Sequence, residues 1–525
     1  MKNKKNLLVL LLIAIVGVVG LTIAYFSSSS SFENTFEASE YGSETIEQFT
    51  SPDDWVPGTT TPKTLKVKNT GEVDEAVRVT YSEKWVSKNG DELPLKQNGN
   101  DVAIINWNNL RDWKKEGNTF YYKYKLAPNE ETSELLESVT YNIEVLSDAT
   151  CTTETEDNTT VTTCSSSGDG YDGATYTLTF VIDTVQFNKY REAWQLEDNS
   201  NVTIASESKP DPITLAQFVA NNTNPGTVTS YNDDNADKSK MFEFSHEVNN
   251  ETINEVRYIG NSANNYVEFN CDRDGTNCEI WRIIGVFDVE REIDDPDQVG
   301  QKITITEQRM KLVRGEILKN DYWNSEINAN DGYNDWTADN ATLKLFLNGD
   351  YYNGVAEHGL KASARELIDD AKYYLGARES VLNTTEELYA LERGSILCGS
   401  CGEDTTKLRW QGTVGLMYAS DVYMVYGKDV NVTCYSNPNV CRNDNAATGW
   451  VYNSNALSDS IVETFVLMPT SNFPDRVFTA DTNGDFYGNR LANARFGVRP
   501  VVYLVSDIKI ADGDGSSGNP FVLSK

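Results

Sequence analysis

The sequence predicts a mainly β protein with some α structure, in which an antiparallel β-sandwich precedes an α+β domain. The chain has 525 residues, which is too long for one ordinary hydrophobic core, so at least two domains are expected. Short segments that alternate polar and apolar residues, with turn residues between them, fill 65–186 and predict the sandwich. In the second half, similar strand segments occur together with helical segments and long loops. The 27 tyrosines, 19 phenylalanines and 10 tryptophans are too many for a disordered chain.

Residues 1–24 have the pattern of an export signal or of an N-terminal membrane helix. Three lysines precede the uncharged run Leu7–Ala24, and Thr22 and Ala24 are small residues of the kind found at cleavage sites. A run of about 18 apolar residues is also at the lower limit for crossing a bilayer, so a retained anchor is the alternative. We expect cleavage after Ala24; without it, the protein would contact the membrane only through residues 7–24. Both interpretations place the rest of the chain outside the cytoplasm.

The first strand signals of the sandwich lie at residues 65–68 and 76–81, which alternate with a period of two. Asn69–Gly71 between them is a turn signal. Alternation turns one face of each strand to a core and the other to water, as in an antiparallel sheet. A short closing helix is expected at 187–194. Further segments of the alternating kind lie at 119–125, 141–145 and 176–181.

The first third of the chain resembles the TasA/camelysin family. Its apolar run ends in Ala24-Tyr25-Phe26, and serines and Phe32–Phe36 follow, as in export signals cut by the SipW-type signal peptidase. Trp55–Gly58, Lys66–Gly71 and Ala76–Val79 match, in order, the Pro-Gly entry, the KNTG turn and the VRV strand of that family. The resemblance implies a jelly-roll-like β-sandwich over 25–196, on the surface or in the biofilm matrix of a Gram-positive-type bacterium, and self-assembly through this sandwich. The Cys151–Cys164 segment departs from the short family members and puts fibre assembly in doubt.

A linker is expected at residues 197–240, between the sandwich domain and a second domain over 241–525. The stretch is rich in Asn, Thr, Ser and Asp and contains Pro210, Pro212 and Pro225. This composition is typical of extended connections. One short apolar segment, 213–220, lies within it.

The second domain opens with strand signals at 256–260 and 266–269. Glu279–Val286 follows, and its almost continuous apolar run indicates a buried central strand. Apolar residues at helical spacing predict a helix over Ser363–Leu375, whereas the period of Ala341–Leu347 is ambiguous. Further short strands are predicted at 303–305, 310–313, 410–418, 464–468, 476–480 and 499–504.

The second half resembles a widespread, uncharacterised bacterial surface domain. The matches lie at 279–286 (EIWRIIGV), 347–352 (LNGDYY), 415–421 (GLMYASD), 496–504 (FGVRPVVYL) and 513–521 (GDGSSGNPF). The GVRPVVYL ending is also similar to formylglycine-generating-enzyme-like and C-type-lectin-like domains. This similarity implies an α+β, C-type-lectin-like fold with ligand sites on long loops. The active-site thiols of formylglycine-generating enzymes lie elsewhere in that family's pattern, so their activity is not transferred to Cys398 and Cys401.

The eight cysteines form four close pairs: Cys151/Cys164, Cys271/Cys278, Cys398/Cys401 and Cys434/Cys441. An even number, local pairing and an exported context predict four loop-closing disulfides. The spacing of Cys398 and Cys401 is also that of a redox dithiol, although the segment lacks the βαβ context of such sites. A zinc site would have only His246 and His358 to complete it, so no metal is predicted.

No cofactor is predicted either. The formal net charge of −34 repels nucleic acid and anionic headgroups and suits an exported surface. Neither histidine has the partners of a catalytic triad, and no glycine motif cradles a phosphate. Asp-Gly turns at 272–275, 481–485 and 512–515 offer oxygens for Ca²⁺, but none fits the dedicated calcium loop, and we interpret them as solvated turns.

The loops between Trp410 and Phe496 are the predicted ligand surface of the second domain. Trp323 and Trp336 are instead expected in the core, and Arg499 in a structural ion pair with a carboxylate. The alternative for the ligand surface is an ordinary hairpin without a binding role. The candidate ligand-binding residues combine rings with polar groups in one segment: Phe473, Asp475, Phe486, Tyr487 and Asn489.

Together these features predict an exported, non-enzymatic cell-surface or extracellular-matrix protein with a recognition domain for adhesion. Its partners would be a cell-surface glycan, peptidoglycan or a protein. Two alternatives stay open. One is a secreted enzyme or redox protein that uses Cys398 and Cys401, and the other is a purely structural biofilm fibre subunit.

Overall fold

The computed structural model of the protein has a strand content of 47% and a helix content of 12%. These values confirm the prediction of a mainly β chain with some α structure. Two compact units are present: unit 1 comprises Met1–Lys209 with Arg273–Thr276, and unit 2 comprises Pro210–Asp272 with Asn277–Lys525. The structure describes residues 27–28, 42–50, 55–108, 110–143, 149–156, 159–166, 171, 173–197, 199–228, 230–248, 251–325, 334–376, 385–393, 409–426, 433–434, 440–442, 449–451, 463–469, 474–481 and 485–525.

Unit 1 consists mainly of antiparallel strands, as its alternating pattern predicts. The strands are β1 (Ser27–Ser28), β2 (Ser43–Phe49), β3 (Thr60–Asn69), β4 (Glu75–Val86), β5 (Glu92–Leu93), β6 (Lys96–Gln97), β7 (Asn100–Asp101), β8 (Ala103–Trp107), β9 (Trp113–Glu116), β10 (Thr119–Tyr122), β11 (Leu136–Tyr141), β12 (Ala149–Glu156), β13 (Thr159–Ser166) and β14 (Thr175–Gln186). One sheet has the order β1-β14-β4-β10-β9, with β5 beside β4, and a second has the order β2-β3-β11-β8. β6 pairs with β7, and β12 pairs with β13. A 3₁₀ turn at Leu110–Asp112 precedes β9.

One hydrophobic cluster of unit 1 takes side chains from both of these sheets. Leu65 and Val67 of β3 are buried in it together with Val77 and Val79 of β4 and Phe120 of β10. The residues that alternate in the sequence are therefore the ones that fill this core, as expected of half-buried strands. The finer assignment of unit 1 as a jelly-roll-like sandwich stays a prediction.

The turn after β3 depends on the buried side chain of Asn69. Its Nδ2 donates to the carbonyl oxygens of Val73 (2.7 Å) and Leu126 (2.9 Å), and its Oδ1 accepts from the Gly71 amide (2.9 Å). This use of both ends of the amide satisfies a buried polar group and closes the turn. At the other end of the unit, a 3₁₀ turn at Phe187–Lys189 and α1 (Tyr190–Ala193) confirm the predicted closing helix.

The segment 197–240, expected as a linker, contributes to both hydrophobic cores. Val202 and Ile204 are buried in unit 1. Leu215 and Phe218 of α2 (Leu215–Asn222) are buried in the main core of unit 2. The many polar residues around these few apolar side chains give the stretch the composition of a linker. Its first part nevertheless belongs to unit 1 and its second part to unit 2.

Unit 2 is built on two large, mostly antiparallel sheets. Its strands are β15 (Ile213–Thr214), β16 (Met241–Val248), β17 (Glu251–Tyr258), β18 (Tyr266–Phe269), β19 (Glu279–Asp294), β20 (Lys302–Arg314), β21 (Lys319–Tyr322), β22 (Ile368–Asp369), β23 (Ala371–Tyr374), β24 (Arg409–Gly412), β25 (Val414–Leu416), β26 (Thr433–Cys434), β27 (Val440–Arg442), β28 (Thr464–Pro469), β29 (Arg476–Ala480), β30 (Asp485–Leu491), β31 (Arg495–Val498), β32 (Pro500–Leu504), β33 (Lys509–Asp512) and β34 (Phe521–Ser524). The first sheet has the order β15-β33-β34-β18-β19-β20-β32-β22, with β17 on β19, β16 on β17 and β25 on β32. The second has the order β21-β31-β28-β29-β30-β27-β26, and β23 pairs separately with β24.

Short helices complete unit 2. They are α3 (Thr342–Phe346), α4 (Ala362–Arg365), α5 (Thr385–Glu392) and α6 (Ala419–Tyr423), with a π-helical turn at Leu347–Tyr351 and a 3₁₀ turn at Met424–Tyr426. α3 shows that the ambiguous segment 341–347 is helical. In the part of the chain that the structure describes, no helix is both long and apolar enough to cross a membrane, and residues 7–24 lie outside that part.

The helix predicted over 363–375 is wrong beyond its first turn. α4 ends at Arg365, and Ile368–Asp369 and Ala371–Tyr374 are strands that pair with β32 and β24. Long-range pairing prevails over the helical spacing because it buries the ring of Tyr373 completely. Two adjacent aromatic residues also favour a strand over a helix.

The predicted central strand and the predicted core tryptophans of unit 2 are confirmed. Every residue from Trp281 to Phe287 is buried, so β19 is covered on both faces. Trp323 and Trp336 are also fully buried, and their ring centroids lie 4.8 Å apart. The C-type-lectin-like assignment of this unit stays a prediction.

Candidate functional site

Three of the predicted ligand-binding residues, Phe486, Tyr487 and Asn489, lie in strand β30, and the ring of Phe486 belongs to the core. Phe486 of β30 is only 1% exposed, and its ring centroid lies 5.0 Å from that of Phe478 and 5.2 Å from that of Tyr423. The prediction of a ligand contact for Phe486 is corrected by this burial: the ring fills the core of unit 2. Phe473 lies outside the described residues.

The other members of the predicted set, Asp475, Tyr487 and Asn489, are half-buried. The Tyr487 hydroxyl lies 3.3 Å from Asp481 Oδ2, and the Arg490 guanidinium lies 4.2 Å from the Tyr487 ring. Successive side chains of a strand point to opposite faces, so Phe486 and Tyr487 cannot both contact one ligand. A binding role for the three half-buried residues stays a prediction.

One predicted disulfide is confirmed, since Cys271 and Cys278 are bonded with their Cα atoms 3.9 Å apart. The backbone register places Cys151 opposite Cys164 and Cys434 opposite Cys441, as the predicted pairing requires. Those two disulfides stay predictions. Cys398 and Cys401 lie outside the described residues.

Two of the Asp-Gly segments form hydrogen-bonded turns. Asp274 Oδ1 accepts from the Thr276 amide (2.9 Å), and Asp514 Oδ1 accepts from the Ser516 amide (2.9 Å). Both carboxylates thereby serve the local backbone, as short polar side chains commonly do in turns. Among the described residues, no group of three or more His, Cys, Asp or Glu side chains could hold a metal ion.

A cavity of about 550 Å³ in unit 2 brings together three arginines that are far apart in the sequence. Arg282 comes from β19, Arg314 ends β20, and Arg499 lies between β31 and β32. We call this cavity the arginine pocket. Its wall also contains Tyr266, Glu279 and Trp450.

Arg314 is neutralised within the arginine pocket. Its Nε donates to Glu279 Oε2 (3.1 Å) and its Nη2 to Glu279 Oε1 (3.2 Å), so the guanidinium and the carboxylate form a two-pronged ion pair. The indole nitrogen of Trp281 also donates to Glu279 Oε2 (2.9 Å). The carboxylate of Glu279 is therefore bound by Arg314 and Trp281, and the Arg314–Glu279 ion pair adds no net charge to the pocket.

Arg499 is buried against carbonyl groups. Its Nη1 donates to the Val451 carbonyl oxygen (2.8 Å), its Nε to that of Arg314 (3.1 Å) and its Nη2 to that of Gly315 (3.4 Å). In the described part of the chain, main-chain oxygens and no carboxylate accept from Arg499, and the predicted ion pair stays a prediction. Burial, together with the positive charges of Arg282 and Arg314, lowers the pKa of Arg499 to about 9, so the side chain is still charged at neutral pH.

Arg282 lines the pocket without a carboxylate partner among the described residues. The residue is 7% exposed, and its Nε donates to Asn265 Oδ1 (2.7 Å). Its guanidinium lies 3.7 Å from the Tyr266 ring centroid and 5.1 Å from that of Trp450. Burial lowers the pKa of Arg282 to about 10, against an opposing interaction with Tyr266. The result is a charged, aromatic-stacked guanidinium in a residue that lines the cavity.

The arginine pocket can hold an anionic group. A buried guanidinium forms strong, paired hydrogen bonds to carboxylate-like groups, and stacking on rings restricts its orientation. Arg282 is not among the residues predicted from the sequence, because it lies in a run that correctly predicted a buried strand. The available signal was the charge itself, since an arginine inside an otherwise apolar central strand needs a partner.

A second group of buried charges in unit 2, which we call the charge cluster, was also not predicted from the sequence. His246 Nδ1 lies 2.7 Å from Glu386 Oε2 at its margin, and Arg257 Nη1 donates to Asp421 Oδ1 (3.1 Å). Arg257 also contacts Glu255, and Lys311 contacts Asp421. The cluster consists of His246, Glu255, Arg257, Lys311, Tyr389, Glu392, Arg393 and Asp421, all of them buried.

The environment of the charge cluster shifts the protonation of its members. Burial lowers the pKa of Lys311 to about 8, with Asp421 opposing this effect, and burial raises the pKa of Glu392 to about 7. The pKa of His246 is raised: burial opposes its charge, and hydrogen bonds to Glu255 and Glu386 outweigh that effect. These buried residues connect α5 and α6 to strands β16, β17 and β20.

No family model matches the chain, and neither a curated protein nor a solved structure matches it.

Proposed function

We propose that the protein is an exported, non-enzymatic cell-surface or extracellular-matrix protein, and that unit 2 recognises a ligand through the arginine pocket. The observation that carries this role is Arg282, a buried guanidinium at a cavity with no carboxylate partner among the described residues. A buried charge without a counter-ion costs stability. A ligand that supplies an acceptor would remove part of that cost on binding.

The walls of the arginine pocket support recognition because the protein already fixes them. Asn265 accepts from Arg282 and donates its own Nδ2 to the Ile283 carbonyl oxygen (2.7 Å). The Trp450 indole nitrogen donates to the Tyr258 carbonyl oxygen (2.9 Å). Side chains that are ordered before binding lose little entropy when the ligand arrives.

The proposed location rests on residues 1–24 and on the resemblance of the first third to the TasA/camelysin family. An export signal would place the chain on the surface or in the matrix of a Gram-positive-type bacterium, with residues 7–24 as an anchor if they are not cleaved. Unit 1, as a jelly-roll-like sandwich, would be the part that self-assembles. A cell-surface glycan, peptidoglycan or a protein is the proposed partner, because the net charge of −34 disfavours nucleic acid.

The test is a binding screen with the secreted protein. Wild type, Arg282→Gln and Arg409→Gln are each applied to a glycan array, to isolated peptidoglycan and to intact cells. Arg409 is the matched control because its exposed side chain pairs with Glu290 (2.9 Å) on the same unit. We expect wild type and Arg409→Gln to be retained and folded Arg282→Gln to be lost. Full retention of Arg282→Gln would contradict binding in the pocket, and no retention of wild type would contradict the recognition role.

A further inference from the structure

We infer that the arginine pocket binds the carboxylate of an acidic saccharide, and that Arg282 receives this carboxylate. The inference rests on the proposed recognition function and adds the chemical class of the ligand. Four features carry it: the hydrogen-bond donors left at the pocket, its charge balance, the shape of the guanidinium edge and the composition of the walls.

Among the three arginines of the pocket, Arg282 has the fewest protein acceptors. Arg314 uses its Nε and Nη2 on Glu279 and its Nη1 on the Glu316 carbonyl oxygen. Arg499 has all three of its nitrogens on main-chain carbonyl oxygens. Arg282 has its Nε on Asn265 and, besides the Tyr266 hydroxyl, no protein acceptor for its terminal nitrogens in the described structure. A ligand acceptor is therefore expected at those two nitrogens.

The charge balance of the pocket favours a ligand with a single negative charge. Three arginines face two carboxylates, those of Glu279 and the exposed Glu316, which leaves a formal charge of +1. A dianion such as a phosphate monoester would keep one negative charge in a largely buried site, where unpaired charges are costly. A monoanion neutralises the pocket.

The free edge of Arg282 matches a planar group with two oxygens. A guanidinium presents parallel N–H bonds from neighbouring nitrogens, and a carboxylate accepts both at once. The Tyr266 ring beneath the guanidinium, 3.7 Å away, fixes the plane in which these donors lie. A tetrahedral sulfate or phosphate can accept the same pair of N–H bonds, so the charge balance, and not the shape of this edge, disfavours a dianion.

The walls of the pocket favour a saccharide over the end of a peptide. Tyr266 is half-buried and carries the Arg282 guanidinium on one face of its ring, Trp450 is only 2% exposed, and Ser517 supplies a hydroxyl. Ile280 is the one aliphatic side chain among the described lining residues, and it is 42% exposed. A C-terminal peptide residue would need an apolar pocket for its side chain beside the carboxylate. A sugar ring needs polar groups rather than an apolar pocket, and most of the lining residues are polar or charged.

The inference is tested by titration of the full secreted chain with a uronic-acid oligosaccharide. Two matched probes are the same oligosaccharide with every carboxylate converted to the carboxamide, and its neutral parent. Inorganic phosphate, inorganic sulfate and a peptide with a free C-terminus form the remaining arms. The variants are Arg282→Gln, Arg282→Lys and the control Arg409→Gln.

We expect wild type and Arg409→Gln to bind the acid, and the carboxamide to bind at least tenfold more weakly. Arg282→Lys keeps the charge but loses the paired donors, so it should also bind the acid at least tenfold more weakly. If both Arg282 variants fail to fold, the comparison of acid with carboxamide on wild type decides the question.

Other outcomes overturn the inference in ways that separate it from the proposed function. Equal affinity for acid and carboxamide, or undiminished binding by folded Arg282→Lys, would remove the carboxylate from the account. Preference for phosphate, for sulfate or for the peptide would replace the ligand class. In these cases, the proposed recognition role would still stand if the binding screen retained wild type and lost Arg282→Gln. If no saccharide binds and the screen is also negative, both proposals fail.

Discussion

Unit 2 buries cations in two places and compensates them in opposite ways. In the charge cluster, Arg257 and Lys311 both contact the carboxylate of Asp421, and Arg257 also contacts Glu255. In the arginine pocket, Arg282 has an amide oxygen and two aromatic rings around it, and no carboxylate among the described residues. Both groups are anchored on neighbouring strands of one sheet, so the difference does not come from a different scaffold.

The counter-ions of a buried cation indicate its role. In the charge cluster, the charged side chains pair with one another, and these pairs connect elements that are distant in the sequence. A cation that borders a cavity without a counter-ion lowers stability, and such a cost is expected where a ligand completes the site. The variants below separate these two roles by their effects on stability.

The largest loss of stability is expected when the charge cluster loses Asp421. Asp421→Ala leaves Arg257 and Lys311 with one carboxylate fewer in a fully buried site. Breaking a buried ion pair from one side should lower the free energy of unfolding by about 3–5 kcal/mol. The measurement is denaturant unfolding followed by fluorescence.

Asp475→Ala is the control for this variant, because its half-buried carboxylate lies 3.9 Å from Arg476. We expect the control to change stability by less than about 1 kcal/mol. An equally small loss in Asp421→Ala would contradict the structural role of the charge cluster.

The next effect is a dependence of stability on pH that comes from Glu392. Burial raises the pKa of this carboxyl from 4.5 to about 7, so the folded state keeps a proton that the unfolded state has released. Its contribution to stability is full below pH 4.5 and is lost as the pH rises towards 7. A shift of this size corresponds to about 3 kcal/mol.

Glu392→Gln should remove this slope, because the amide cannot titrate and still accepts from the Ser420 amide (2.7 Å in the wild type). Unfolding midpoints at several pH values between 4.5 and 7 would be compared with those of wild type and of Glu316→Gln, an exposed control. Identical slopes for Glu392→Gln and wild type would show that Glu392 does not titrate in this window. Lys311 affects stability in a different pH range. Its pKa is lowered from 10.5 to about 8 in the folded state, so its contribution to the free energy of unfolding rises between pH 8 and 10.5.

A smaller loss is expected from Arg499→Lys in the arginine pocket. The ammonium group cannot donate to the three carbonyl oxygens that the guanidinium reaches together. Unpaired buried acceptors should reduce the free energy of unfolding by about 1–3 kcal/mol. Arg495→Lys, at an exposed position of β31, is the control. A loss as large as that of Asp421→Ala would contradict the proposed difference between the two sites.

The fold was predictable where the pattern is local. Alternation identified Leu65 and Val67 as core residues of β3, and the apolar run at 279–286 identified the central strand. The close spacing of Cys271 and Cys278 identified their disulfide. Each of these signals lies within one strand or one hairpin, where the sequence alone contains the determining information.

The helix and the sites were not predictable because partners from distant positions decide them. Ile368 pairs with Leu504, and this contact overrides the helical spacing around it. Lys311 and Asp421 are 110 residues apart, and Arg282 meets Arg499 only after the sheet forms. The register of such a sheet cannot be read from one sequence, so neither the charge cluster nor the arginine pocket was foreseen.

The most direct test of the central claim is thermal unfolding of wild type and Arg282→Gln, with and without the uronic-acid oligosaccharide. Without ligand, we expect the two proteins to differ by less than about 1 kcal/mol, because Arg282→Gln removes an uncompensated buried charge and leaves a side chain that can donate to Asn265. With ligand, the midpoint of wild type should rise, since binding to the folded state stabilises it, and that of Arg282→Gln should not. The account would be contradicted by equal shifts in both proteins, by no shift in wild type, or by a ligand-free loss in Arg282→Gln as large as that of Asp421→Ala.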